Sequence, residues 1–194
     1  MDLTWLEMYL ILINIIGFVL FAVNVALYTY TADRQIDSLL TICAIMGGSL
    51  GIVIGIFLID RKALKENMMS RVFVFCVLII QIVMVLWLKG YHSETLNFRI
   101  FDLFMDHKLL IAYLIVINVV AFIMFGIDKL NAINHRTRIR IITLLMLAFI
   151  GGSIGGLIAM YAFRHKTQID YFTVGVPLIL LMQIVVIFYL MNIN

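Results

Sequence analysis

Residues 141–162 read IITLLMLAFIGGSIGGLIAMYA, and residues 38–59 read SLLTICAIMGGSLGIVIGIFLI. Neither stretch holds a charge, and each is as long as the roughly 20 residues a helix needs to cross a hydrocarbon core of about 30 Å. Lipid offers backbone N–H and C=O groups no partner, so a chain crossing it is helical or a closed barrel. These runs are too long for barrel strands and lack their alternation. They point to an all-α integral membrane protein.

The rest of the chain follows the same pattern. Further apolar runs lie at about 8–28, 71–89, 109–127 and 173–191, giving six transmembrane helices. Of the 194 residues, 64% are hydrophobic and 13% charged, against about 45–50% and about 25% in soluble domains. The charge sits in short connections. Residues 91–108, YHSETLNFRIFDLFMDHK, are longer, and Leu96, Ile100, Leu103 and Phe104 recur there at helical spacing among polar residues. That spacing predicts an amphipathic helix lying in the interface over 90–108 and joining segment 4–89 to segment 109–194. The first apolar run starts directly after Met1-Asp2 with no basic stretch before it, so it is expected to remain as a spanning helix. Cys43 and Cys76 fall inside spans and read as packing thiols, with no disulfide, metal or cofactor expected. The net charge of +3 has no concentrated basic tract. It argues against nucleic acid and fits contact with anionic lipid headgroups.

An internal repeat organises the chain. At a shift of 104 residues, Tyr9-Leu10-Ile11 falls on Tyr113-Leu114-Ile115, Asn14 on Asn118, Phe18 on Phe122, Phe21 on Phe125 and Arg34 on Arg138. Gly47-Gly48-Ser49-x-Gly51 falls on Gly151-Gly152-Ser153-x-Gly155. Apolar matches mean little in membrane segments, but matched Asn, Arg and GGSxG at one offset point to duplication. Three spans per half is an odd number, which predicts two inverted three-helix repeats, an architecture known among secondary transporters. Counted on that topology, eight Lys and Arg lie on the side of the termini and six on the other. This bias puts both termini in the cytoplasm of a multi-pass inner-membrane protein.

Asn14, Phe18 and Phe21 share one helix face, as do Asn118, Phe122, Phe125 and Lys129. An asparagine at membrane depth needs a partner, so Asn14 and Asn118 are either a paired central site or interhelical glue. The GGSxG glycines either pack helices closely or break them and free backbone groups for a ligand, and the sequence leaves both open. Asp128 is an acidic residue within a span, a candidate for cation coordination, proton relay or pairing with a buried base. Arg164-His165-Lys166 is a dense cationic cluster able to hold phosphate or carboxylate. Lone Pro177, beside Gly175, either kinks the last helix or sits in its first turn.

At these residues the second half resembles a family of small bacterial membrane proteins, that of domain of unknown function 1294. The resemblance rests on Asn118, Phe122, Asp128-Lys129, Ala132, Arg138, Gly151-Gly152-Ser153-x-Gly155, Phe163-Arg164-His165-Lys166-Thr167, Phe172 and Pro177, and covers about 108–191. The first half looks like a degenerate copy, with Asn24-Val25 for the Asp-Lys pair and Asp60-Arg61-Lys62-Ala63 for Arg-His-Lys-Thr. The resemblance implies a three-helix unit in a bacterial inner membrane and brings no activity. A relative with one unit would have to dimerise, and a homodimer of this chain stays open.

Two functions are carried forward. One is a channel or transporter for a small ion or anionic solute, with a path between inverted repeats and Asn14, Asn118, Asp128, Lys129, Arg164, His165 and Lys166 as binding residues. Gly47, Gly48, Ser49, Gly51, Gly151, Gly152, Ser153 and Gly155 then serve packing or gating. The other is a non-transporting protein that binds anionic lipid headgroups or a partner membrane complex. Catalysis needs a nucleophile or base with its partners, or a metal site, and no such His/Cys/Asp grouping is legible, so an enzyme is not expected.

Overall fold

The computed structural model describes residues 4–31, 37–60, 67–93, 104–105 and 107–193. Arg34, Arg61, Lys62, Lys65 and most of the expected interfacial helix over 90–108 lie outside the described residues. Among the described residues all regular structure is helical. Six stretches are long and apolar enough to cross a membrane: Trp5–Tyr30, Asp37–Leu58, Met68–Leu88, Lys108–Ile133, Ile141–Ala162 and Asp170–Met191. These are the marks of a multi-pass membrane protein. The chain divides into two compact units, Met1–Ile82 and Val83–Asn194.

In the first unit, α1 (Trp5–Thr31) is a long helix. It is followed by α2 (Asp37–Cys43), a π-helical turn at Ala44–Gly48, and α3 (Ser49–Leu58). Helix α4 (Met68–Leu88) runs from this unit into the next. In the second unit, α5 (Lys108–Ile133) is followed by α6 (Ile141–Leu147), a π-helical turn at Ala148–Gly152, and α7 (Ser153–Ala162). The short α8 (Asp170–Thr173) and then α9 (Gly175–Met191) close the unit. Pro177 sits in the first turn of α9, where its missing N–H costs no helical bond.

Expected spans two and five are not straight rods. Gly47 has φ 118° and Gly151 has φ 130°, left-handed values that a side chain rarely tolerates, and each breaks its helix at that point. The break turns the chain back on itself. The Ile139 N–H, before α6, donates to Asp128 Oδ1 at 2.8 Å, while His165 Nε2 and Lys166 Nζ, after α7, reach Asp128 Oδ2 at 2.8 and 2.7 Å. A straight helix would hold Ile139 and His165 about 39 Å apart at 1.5 Å per residue. Both ends of this segment therefore lie at one end of α5.

The register along the long helices shows the same doubling in each unit. Beside α1, Asp37 meets Asn24 and the Cys43 thiol points at the Ile13 carbonyl, so α2 runs against α1. Gly51 then packs on Asn14 and Gly55 on Phe21, so α3 runs with it. Beside α5, Gly151 packs on Tyr113 and Ile117, Gly155 on Asn118, and Phe163 on Phe122 and Gly126. Each unit is thus a long helix embraced by a V-shaped helical hairpin and closed by a further long helix. The expected count of three crossings per half took each Gly-Gly stretch as one straight span. In the structure each such stretch is a hairpin whose arms return to the same end of the long helix.

Candidate functional site

Each hairpin has a tip and a mouth, and the predicted residues divide between them. At the tips the asparagines are bonded to backbone. Asn118 Nδ2 donates to the Leu114 and Gly151 carbonyls at 2.7 and 2.9 Å, and its Oδ1 accepts the Gly155 N–H at 2.7 Å. Asn14 Nδ2 donates to the Leu10 carbonyl at 2.7 Å and its Oδ1 accepts the Gly51 N–H at 2.8 Å. The glycines make this possible. A Cβ at Gly51 or Gly155 would stand 1.9 or 2.0 Å from the backbone oxygen of Asn14 or Asn118. Tyr9 and Tyr113 add hydroxyl donors to the Met46 and Ile150 carbonyls.

A second pair of tip residues was not singled out in the sequence. Gln81 Nε2 donates to the Ala44 and Ile45 carbonyls at 2.5 and 3.1 Å, and Gln183 Nε2 to those of Ala148 and Phe149 at 2.7 and 3.1 Å. The buried Ser49 and Ser153 hydroxyls donate to the amide oxygens of these glutamines. These carbonyls are the ones a broken helix strands at its last turn, and a buried unpaired carbonyl is costly. The glutamines are 102 residues apart, two short of the 104-residue repeat. A fixed offset misses them, whereas an alignment allowing a two-residue gap finds them.

The mouth of the second unit is a closed charge cluster. Asp128 is fully buried, and His165 and Lys166 retain only 14% and 10% of their side-chain exposure. Besides the contacts above, the Lys166 ammonium stands over the Phe172 ring, 4.5 Å from its centroid, and Phe172 packs edge-on against Phe125 at 5.7 Å. The Arg-His-Lys segment reaches inward because Arg164 and Lys166 adopt left-handed backbone, φ 45° and 62°. That conformation is uncommon outside glycine and is kept here by the bonds it allows. Lys166 lies between the apolar stretches. Burial pushes its ammonium below the usual lysine range, against the opposing hydrogen bond and charge of Asp128 and with the help of the Arg138 charge. Arg164 is exposed and Lys129 half-buried, and neither is brought to the carboxylate. The cationic triad is therefore no open anion site, since two of its members are turned inward onto Asp128.

The mouth of the first unit is built from other residues. Asn24 stands where the repeat places Asp128, and its Nδ2 donates to Asp37 Oδ1 at 3.1 Å. Asp60 is paired with Arg71 at 3.1 Å and accepts the Asn67 amide at 2.9 Å. Between the arms lies a cavity of about 500 Å³, within the range of small-molecule sites.

The family match falls on the second unit. The family model described as Protein of unknown function (DUF1294) matches residues 118–172, a range holding Asn118, the tip glycines and the Asp128, His165, Lys166 and Phe172 cluster. A bacterial relative, the "Uncharacterized protein YsdA" of Bacillus subtilis (strain 168), is 41% identical over 76 residues, which are 39% of this chain and 85% of the relative. The chain belongs to this family. No solved structure matches it. The family match thus covers one hairpin from its tip to its mouth, and the first unit repeats the tip without the cluster.

Proposed function

We propose that the protein is a membrane transport protein for a small ion or solute. In this reading it is built as two tandem family modules, each of two crossing helices and one re-entrant hairpin. One observation carries the reading. In each unit an apolar segment stops about 15 Å in, roughly half of a 30 Å core, and turns back over backbone that asparagine and glutamine side chains satisfy. Irregular backbone at membrane depth is tolerated where protein buries it or where it lines a water-filled cavity, and broken helices are what many transporters use to present backbone to a solute.

Two crossings per module have a consequence for topology. In this reading each module enters and leaves on the same membrane face. The basic residues support this count. Lys89, Arg99 and Lys108 then lie on the face of the termini, and the other eleven of the fourteen Lys and Arg lie on the face of the hairpin mouths. That is a far stronger bias than eight against six, and by the positive-inside rule it places the mouths in the cytoplasm and the termini outside.

Sidedness tests this directly. Cys43 and Cys76 are replaced by serine, single cysteines are introduced at Lys62, Lys166 and Lys108, and intact cells are treated with a membrane-impermeant thiol reagent. Labelling at Lys108, with none at Lys62 or Lys166, is expected. Opposite behaviour of Lys62 and Lys166 would restore the inverted arrangement. Transport is tested in proteoliposomes with tracer uptake of inorganic and organic ions. Uptake above empty liposomes that is lost in Gly155→Ala is expected, and uptake no greater than in empty liposomes for every ion would overturn the transport reading.

A second reading keeps a specific observation. Arg136, Arg138 and Arg140, in the connection after α5, and Arg164 are all exposed. On a cytoplasmic face they suit anionic headgroups, at about 1 kcal/mol per residue near the surface. If this is their role, replacing all four with glutamine weakens retention of anionic over neutral lipid in the purified protein and leaves any uptake intact.

A further inference from the structure

We infer that the cavity between the hairpin arms of the first unit binds a small organic cation, a compound with an ammonium head and an apolar body. The site lies outside the segment matched by the family, and its occupancy does not presuppose transport.

The argument starts from an unanswered hydrogen bond. Asn24 gives its amide N–H to Asp37, and its carbonyl oxygen is buried with no hydrogen-bond partner. A buried polar atom left in that state is unfavourable by about 1–3 kcal/mol, so it marks a place where a donor belongs. Beside it, Asp37 offers a carboxylate held by that one amide among the described residues. Across the cavity the Asp60 carboxylate is already taken up by Arg71 and Asn67. On the Asn24 side the mouth thus offers two acceptors, one amide oxygen and one carboxylate, close together, while the Arg71 guanidinium lines the opposite wall against Asp60. An ammonium group, which has several N–H donors and a positive charge, answers both at once. An anion would meet two carboxylates, Asp37 and Asp60, against the single Arg71 guanidinium that lines the cavity.

The deeper wall sets the body of the ligand. Phe21, Leu40, Ile52, Ile56, Phe73 and Val74 line the cavity below the mouth. They are apolar, and they belong to or pack on the core of the first unit. A volume of about 500 Å³ exceeds what an inorganic cation needs and suits an amine carrying an alkyl or aryl group. The second unit supplies a precedent within the chain. There an ammonium, that of Lys166, sits between the Asp128 carboxylate and the Phe172 ring. Carboxylate plus aromatic face is a recognised way to hold such a head group.

The test uses the full chain in detergent micelles with phenethylammonium chloride as the probe and 3-phenylpropionate as an anion of similar size, both followed by isothermal titration calorimetry. Saturable binding of the cation and none of the anion is expected. Asp37→Asn removes the charge and should weaken binding about tenfold or more, the scale of a charge-assisted hydrogen bond. Asn24→Leu should weaken it less, and Leu40→Trp, which fills the apolar end and leaves both acceptors, should abolish it. Circular dichroism and gel filtration establish that each variant is folded, and the cation-to-anion contrast in the unmodified chain stands if one is not. The inference is overturned if the unmodified chain shows no saturable binding or binds the anion equally well. Binding that survives both Asp37→Asn and Asn24→Leu overturns it too. So does binding that appears only in Lys62→Met, which would mean that the chain's own lysine fills the site.

Discussion

Position 24 of the first unit holds an asparagine where position 128 of the second holds an aspartate, and the two mouths diverge around that one change. In the second unit the carboxylate gathers an imidazole, an ammonium and a backbone N–H, with an aromatic ring beneath the ammonium, and the mouth closes. In the first the charge moves to Asp37 at the start of α2, Asp60 pairs with Arg71, and a cavity is left between the arms. The tips, by contrast, agree in all but one bond, the extra Asn118 donation to the Gly151 carbonyl. Asn14 and Asn118 hold Gly51 and Gly155, and Gln81 and Gln183 cover the last carbonyls before the break. The tip solves a problem of the backbone, which both sequences share, so its residues match. The mouth satisfies mainly side chains, and these can be exchanged as a set while the hairpin is kept.

This contrast makes the mouths the most unequal positions under mutation. Asp128→Leu leaves the buried Lys166 ammonium without its counter-charge, and removing one partner of a buried pair typically costs about 3–5 kcal/mol. Asn24→Leu removes one amide and should cost about 1 kcal/mol. Equilibrium unfolding in mixed micelles measures both, and equal losses would break the comparison. The double variant Asp128→Leu with Lys166→Met should recover much of the loss.

The tips should behave as equals. Gly51→Ala and Gly155→Ala drive a methyl into the backbone of Asn14 and Asn118, and overpacking of this kind costs about 1–3 kcal/mol or more in the same unfolding assay. A large effect in one and none in the other would show that one hairpin is not held at its tip. Gly47→Ala and Gly151→Ala place a side chain at positive φ and should each cost about 1–2 kcal/mol. The smallest difference separates Asn118→Leu from Asn14→Leu. Asn118 makes one more tip bond, to the Gly151 carbonyl, so its loss should exceed that of Asn14 by about 0.5–1.5 kcal/mol.

Much of this was legible in the residues. The GGSxG match located both hairpin tips, and the Asn14 and Asn118 match located the side chains that hold them. Asp128 and the Arg-His-Lys run were each marked as charged candidates. Their meeting was not legible, because Asp128 and Lys166 are 38 residues apart and a left-handed backbone turns the second toward the first. Gln81 and Gln183 escaped a fixed offset. Asn24 was placed opposite Asp128 by the repeat, but its partner Asp37, on the next helix, belonged to no matched motif.

The amino-acid sequence by itself determined that the chain is helical and apolar enough for a membrane, that its glycine pairs fall at the centres of two apolar runs, and that its second half carries the family's residues. Hydropathy records how long a segment is and what it can dissolve in, and both are local sums over side chains. Whether residues 141–162 continue straight or double back is decided by the backbone angles at Gly151 and by the Asn118 and Gln183 amides that satisfy the carbonyls the break releases. Those groups arrive from other helices, and only the tertiary structure brings them there.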